Sequence, residues 1–153
     1  MQIRSAKDLN VYQKAYALAM QVYELSKSWP SEEKYALTDQ IRRSSRSVCS
    51  NLREAWAKRK YEAHFLSKLT DCDGEHSETD TWLDFSKDCG YLSLSDHERL
   101  TRECRDVGAM LGAMLNEPAP FRDQKPQGGR LMMLTDLSVQ EFHEQLAPSF
   151  SAI

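Results

Sequence analysis

Apolar residues return along this chain at alternating steps of four and three, the period of one helix face. Val11, Ala15, Leu18, Val22 and Leu25 form the first stripe. It predicts a helix over about residues 8–28, capped by Asp8 and ended by Trp29-Pro30, because the residue before a proline avoids the helical region. Ile41, Ser45, Val48, Leu52 and Ala55 form the second. Its helix should start near Ser31–Lys34, with Ser31 as cap and Glu32 and Glu33 at the positive end of the dipole. The small residues in that stripe predict a close neighbour. Phe65, Leu69, Cys72, His76, Thr79, Leu83 and Ser86 mark a weaker third helix over about 60–88, interrupted by Gly74 and stopped by Gly90. Leu100, Cys104, Val107, Leu111 and Met114 mark a fourth. Ser95-Asp96-His97-Glu98 reads as its capping box and Pro118 as its end.

No proline lies between Pro30 and Pro118, and no stretch alternates as a strand would. The economical fold is all-α: an antiparallel up-down four-helix bundle over residues 1–117. Pro118, Pro120, Pro126 and Gly128-Gly129 then open a flexible C-terminal tail over 118–153. Within it, Ser138-Val139-Gln140-Glu141 resembles another capping box, which predicts a short helix over 138–146.

Composition narrows the function classes. The chain has 153 residues, 41% apolar and 28% charged, which suits one globular domain. Its net charge of −3 excludes a uniformly basic nucleic-acid binder but not a local basic face. The longest run without a polar side chain is Val107–Leu115, far short of the roughly 20 residues that span a membrane. The N-terminal Met1-Gln2-Ile3-Arg4-Ser5 carries no apolar signal core, so the expected setting is soluble and cytoplasmic. Cys49, Cys72, Cys89 and Cys104 show no close pair of the kind zinc sites use, and free thiols on helices are expected. Cys72 and His76 are four apart and share a face, which alone makes no site. Phosphate-loop, dinucleotide-binding and nucleophile-elbow motifs are absent. Asp73-Gly74-Glu75-His76 comes nearest to the paired E-x-x-H of a di-iron bundle, as a single half-motif. Gly108-x-x-x-Gly112 is expected to let another helix approach. The sequence therefore predicts no enzyme, no metal and no cofactor.

Charge is strongly segregated. Residues 34–68 hold nine basic side chains against three acids, a balance of +6. Residues 69–98 hold nine acids against Lys87 alone, a balance of −8. On a helical wheel, Arg42, Arg46 and Arg53 fall together about 120–160° from Val48, away from the core stripe. Lys60 would extend the row if the helix continued, and Lys58 and Arg59 lie beside it. Such a row can neutralise successive phosphates. It also fits a solvated face, or pairing with the acidic third helix of the same or a neighbouring chain.

The other flank of the second helix carries Gln40, Ser44, Ser47, Asn51 and Glu54, with Arg43 just beyond. Serine and asparagine are poor mid-helix residues, so this strip predicts a hydrogen-bonded seam against another helix. Asn51 and Glu54 are expected to be largely buried, with Arg43 or Glu78 among their partners. Such a seam would specify packing or assembly.

Leu37-Thr38-Asp39-Gln40-Ile41-Arg42-Arg43, followed by Ser47-Val48-x-x-Asn51-Leu52-x-Glu54, resembles the signature of the four-helix-bundle proteins encoded in 23S rRNA intervening sequences. Leu9-x-Val11-Tyr12-Gln13-Lys14-Ala15 and Trp29-Pro30-x-x-Glu33-x-Tyr35-x-Leu37 extend the match, as do Phe65-Leu66-x-x-Leu69, Gly74-x-x-x-Glu78 and Gly90-Tyr91-Leu92. The resemblance runs in order from Leu9 to Leu115. Arg53 and Ala55 depart from it, standing where the family often has Ala and Gly. Cys72-Asp73-Gly74-Glu75 replaces its Ala-x-Gly-Ser, and the third helix is unusually acidic. The family includes the accessory variability determinant of diversity-generating retroelements. The resemblance implies a homopentameric, non-enzymatic bundle. By likeness to the retroelement members, it implies binding of RNA or DNA through basic surface together with a reverse transcriptase. On that reading Arg42, Arg46, Arg53, Lys58, Arg59 and Lys60 face nucleic acid. The rival reading is a structural or protein-interaction oligomer with no nucleic-acid role, closed by its own opposed charges.

Overall fold

A computed structural model describes residues 3–122, and every structural statement below concerns that range. The short helix expected over 138–146, like the rest of the tail beyond Arg122, lies outside it. Four α-helices follow one another: α1 (Asn10–Ser26), α2 (Asp39–Lys58), α3 (Glu62–Asp88) and α4 (Leu94–Asn116). Connections are short, and α2 packs on α1 and α3 while α4 closes the ring against α3 and α1. The described residues contain no strand. This is the expected all-α four-helix bundle.

The helix ends differ from expectation in instructive ways. Asp8 does not cap α1. It closes a preceding 3₁₀ turn (Ala6–Asp8), where its carboxylate accepts from the Arg4 and Ser5 amides and Ser5 accepts from Lys7. Leu9 then opens α1 without any side-chain cap. Ser31 does not cap either. The chain after Pro30 winds through a 3₁₀ turn (Ser31–Glu33) and a π-helical turn (Lys34–Thr38) before α2 settles into regular geometry. The cap of α4 is Ser93 rather than Ser95: its hydroxyl accepts from the Asp96 amide at 3.0 Å and donates to the Asp96 carboxylate at 2.8 Å. Ser93 is the residue with extended backbone, which is what frees its hydroxyl to reach the Asp96 amide. Gly90 stops α3 as expected, at φ +79°, a conformation that costs other residues more.

The four predicted stripes face inward. Every member is buried except Leu25 and His76, which are half-buried. The core forms two apolar clusters. One gathers Leu9, Leu52, Phe65 and Leu111 at one end of the bundle, and the other gathers Val22, Ile41, Leu83 and Leu100 at the opposite end. Small or polar side chains lie between them, including Ser44, Ser45 and Thr79. The Thr79 hydroxyl donates to Ser44 Oγ at 2.9 Å, with the Glu75 carbonyl at the same distance, and Ser44 donates to the Ile41 carbonyl at 3.3 Å. Each buried hydroxyl is thus satisfied, which is the condition for tolerating it in a core.

In the same layer α3 approaches α4 closely at Gly108. A methyl group there would meet His76 Nε2 at 2.6 Å, whereas at Gly112 it would meet nothing within 4 Å. Only the first glycine of the G-x-x-x-G spacing makes room for a neighbour.

Candidate nucleic-acid interface

Arg42, Arg46 and Arg53 project from the side of α2 that borders α1. The Arg42 guanidinium lies 5.0 Å from the Tyr23 ring, and its Nε donates to Ser26 Oγ at 2.7 Å. Arg46 sits over the same ring at 5.5 Å. Arg53 donates to Ser5 Oγ at 3.4 Å. Arg42 is half-buried; Arg46 and Arg53 are exposed. Among the described residues none of the three forms an ion pair, so no carboxylate neutralises their charge.

The remaining basic residues named above sit apart from that row. α2 ends at Lys58, so Lys60 lies on the loop and does not extend the helical face. Lys58 is 3.9 Å from Glu54, Arg59 stacks 4.3 Å from Trp56 and donates to its carbonyl, and Lys60 lies 5.7 Å from the Tyr61 ring. These three crown the end of the bundle.

The polar flank of α2 meets α3. Arg43 reaches Glu75 at 3.1 Å and Glu78 at 2.7 Å. Trp82 Nε1 also donates to Glu78, at 3.1 Å. That bond, and then Arg43, hold the Glu78 carboxyl below the usual carboxylate range. Lys68 joins Glu54 and Asp71, each at 3.0 Å, and donates to Asn51 at 3.5 Å. The expectation of burial is corrected here. The Glu54 side chain is 52% exposed and Asn51 only half-buried, because Lys68 approaches from the solvent edge of α3 instead of covering them. Gln40 and Ser47 are also half-buried. The buried member of the strip is Ser44, and Arg43 and Glu78 pair with each other instead of with Asn51 or Glu54. Exposed pairs of this kind are worth at most about 1 kcal/mol each, so they orient α2 on α3 more than they stabilise it.

The α1 side of the interface went unnoticed in the sequence. Tyr12, Tyr16 and Met20 line a shallow groove of ≈ 350 Å³ shared with Arg46, Ser50 and Arg53. The signal was available: Tyr12, Tyr16, Met20 and Tyr23 recur at steps of four, four and three beside the core stripe of α1.

Among the described residues no group of three His, Cys, Asp or Glu side chains is placed to hold a metal ion. Cys72 and His76 do not act together: Cys72 donates to the Val48 carbonyl at 3.7 Å, while His76 Nδ1 faces Cys104 Sγ at 3.5 Å. Burial pushes the thiol of Cys49 up to about 11, and those of Cys72 and Cys104 to about 12. Such neutral thiols are packing groups and poor nucleophiles. Among the described residues no helix is long and apolar enough to cross a membrane.

No curated protein matches this chain. The crystal structure of a protein of unknown function from the S23 ribosomal protein family of Bacteroides thetaiotaomicron aligns with a TM-score of 0.63 and 26% sequence identity. The alignment covers 69% of this chain and 95% of that one. The sequence profile of the 23S rRNA-intervening sequence proteins matches residues 7–113, which takes in all four helices except the end of α4. On that match, and on the bundle that carries it, the chain belongs to the 23S rRNA-intervening sequence protein family.

Proposed function

We propose that this protein is a non-enzymatic, homo-oligomeric adaptor that binds RNA or DNA through the α1–α2 basic face. By its resemblance to the retroelement members it would act as a pentamer beside a protein partner such as a reverse transcriptase. One observation carries the nucleic-acid reading: among the described residues Arg42, Arg46 and Arg53 stand in a row without a carboxylate, while Arg43, one position along, is held by two. The acidic third helix therefore engages Arg43 and leaves the row available for phosphates.

The rival account draws on the opposed +6 and −8 segments as joints between copies. Part of that opposition is already used within one chain, by Arg43 with Glu75 and Glu78 and by Glu54 with Lys68. That favours the nucleic-acid reading.

The test is binding of labelled RNA and DNA by the protein and by R46E/R53E, two exposed positions whose reversal leaves the core untouched. Binding should fall at least tenfold with unchanged helicity and oligomeric mass. Undiminished binding in the charge-reversed variant would remove this face from the account. An intact oligomer with no binding by the parent protein at low salt would favour the assembly reading.

A further inference from the structure

The basic face is more than a line of charge. Tyr23 supports two of its guanidinium groups, which fixes where those cations sit. Tyr12 and Tyr16 stack on each other with ring centres 6.3 Å apart and planes 18° from parallel. Tyr16 is 54% exposed and Met20 41%. Tyr12 to Tyr23 on α1, and Arg42 to Arg53 on α2, each span eleven residues, about 16 Å of helix. An aromatic ridge and an unneutralised basic ridge thus run side by side, with the groove between them.

Deepening the nucleic-acid reading, on which it rests, we infer that this face takes an unpaired polynucleotide strand. Phosphates lie along Arg42, Arg46 and Arg53, and a base stacks on the open side of Tyr16 over the Tyr12 ring. A basic groove flanked by aromatic rings is the general solution for single strands, because every base has a π-face and every link a phosphate. A duplex keeps its base faces stacked inside itself, so it reaches only the arginines. The tyrosines and Met20 therefore add affinity for a single strand alone. Phosphate and base are common to RNA and DNA, so both kinds of strand fit.

The experiment compares short oligouridine, short oligothymidine and a hairpin duplex on the full-length protein at one salt concentration. Both single strands should bind at least tenfold more tightly than the duplex. Y16A should lose about tenfold in single-strand affinity and leave duplex binding unchanged, and Y16F, which keeps the ring, should bind as the parent does. R46E/R53E should weaken all three probes. If R46E/R53E weakens binding but Y16A does not, or if the duplex binds as well as the strands, the strand-specific inference falls and the basic face stands. If neither variant changes binding, both fall. Sedimentation of Y16A completes the test. A drop in oligomeric mass with the loss of binding would make the tyrosine groove a contact between copies and would overturn the inference.

Discussion

His76 lies between α3 and α4, with its Nε2 against Gly108 and its Nδ1 3.5 Å from Cys104. Burial lowers its pKa below the ordinary histidine value, more than Asp73 and Asp80 raise it. An unfolded chain then binds the proton more readily than the folded one. Stability from this group is complete above the unfolded pKa of about 6.5 and declines as pH falls below it toward the lowered folded value. Thermal unfolding at stepped pH should show Tm falling between about pH 7 and pH 5, with a shallower fall in His76→Asn. Equal slopes in the two proteins would mean another group titrates. The same contact sets a second expectation. G108A forces the imidazole to move and should destabilise the protein by about 1–3 kcal/mol in urea unfolding. G112A and G74A meet open space inside helices and should stabilise it by about 0.5–1 kcal/mol each. If all three glycines behaved alike, the close approach at Gly108 would be wrong.

At the level of the helices, the interior was legible and the edges were not. Leucine, isoleucine, valine and phenylalanine have one dominant preference, so steps of four and three placed all four stripes, down to the buried Ser45, Thr79 and Ser86. Caps were harder. α1 and α2 begin with no side-chain cap at all, so Asp8 and Ser31 could not be right, and at α4 the choice between two nearby serines depends on which takes extended backbone. That residue is Ser93. The polar seam was half legible. A wheel shows that Asn51 and Glu54 flank the core, but it cannot show that Lys68 meets them at the solvent edge. The tyrosines of α1 are not singled out by α1 alone, because their role comes from the arginines that α2 brings beside them in the fold. A change confined to one helix face tests this division. S44A/T79V removes two hydroxyls that satisfy each other, and replacing both partners of a buried hydrogen bond with apolar groups is nearly neutral. Urea unfolding of the double variant should therefore lie within about 1 kcal/mol of the parent, and a loss of several kcal/mol would show that the polar layer holds the bundle together.

Across the whole molecule, a net charge near zero conceals a division of labour. The acids of α3 hold Arg43 and, with Glu54 of α2, Lys68, which fixes α3 against α2. The arginines facing α1 take no part in that arrangement. A chain of net charge −3 can thus present a basic surface to a polyanion while its other faces repel it, which favours one orientation of approach. The most direct measurement is the salt dependence of single-strand binding by the parent and by R42A/R46A/R53A, with helicity recorded for both. Each phosphate contact contributes about 0.7 to the slope of log affinity against log salt. Loss of the three arginines should therefore lower affinity and make the slope shallower by about 2. A variant that keeps its fold, its affinity and its slope would show that this row does not face phosphates, and the central claim would fail.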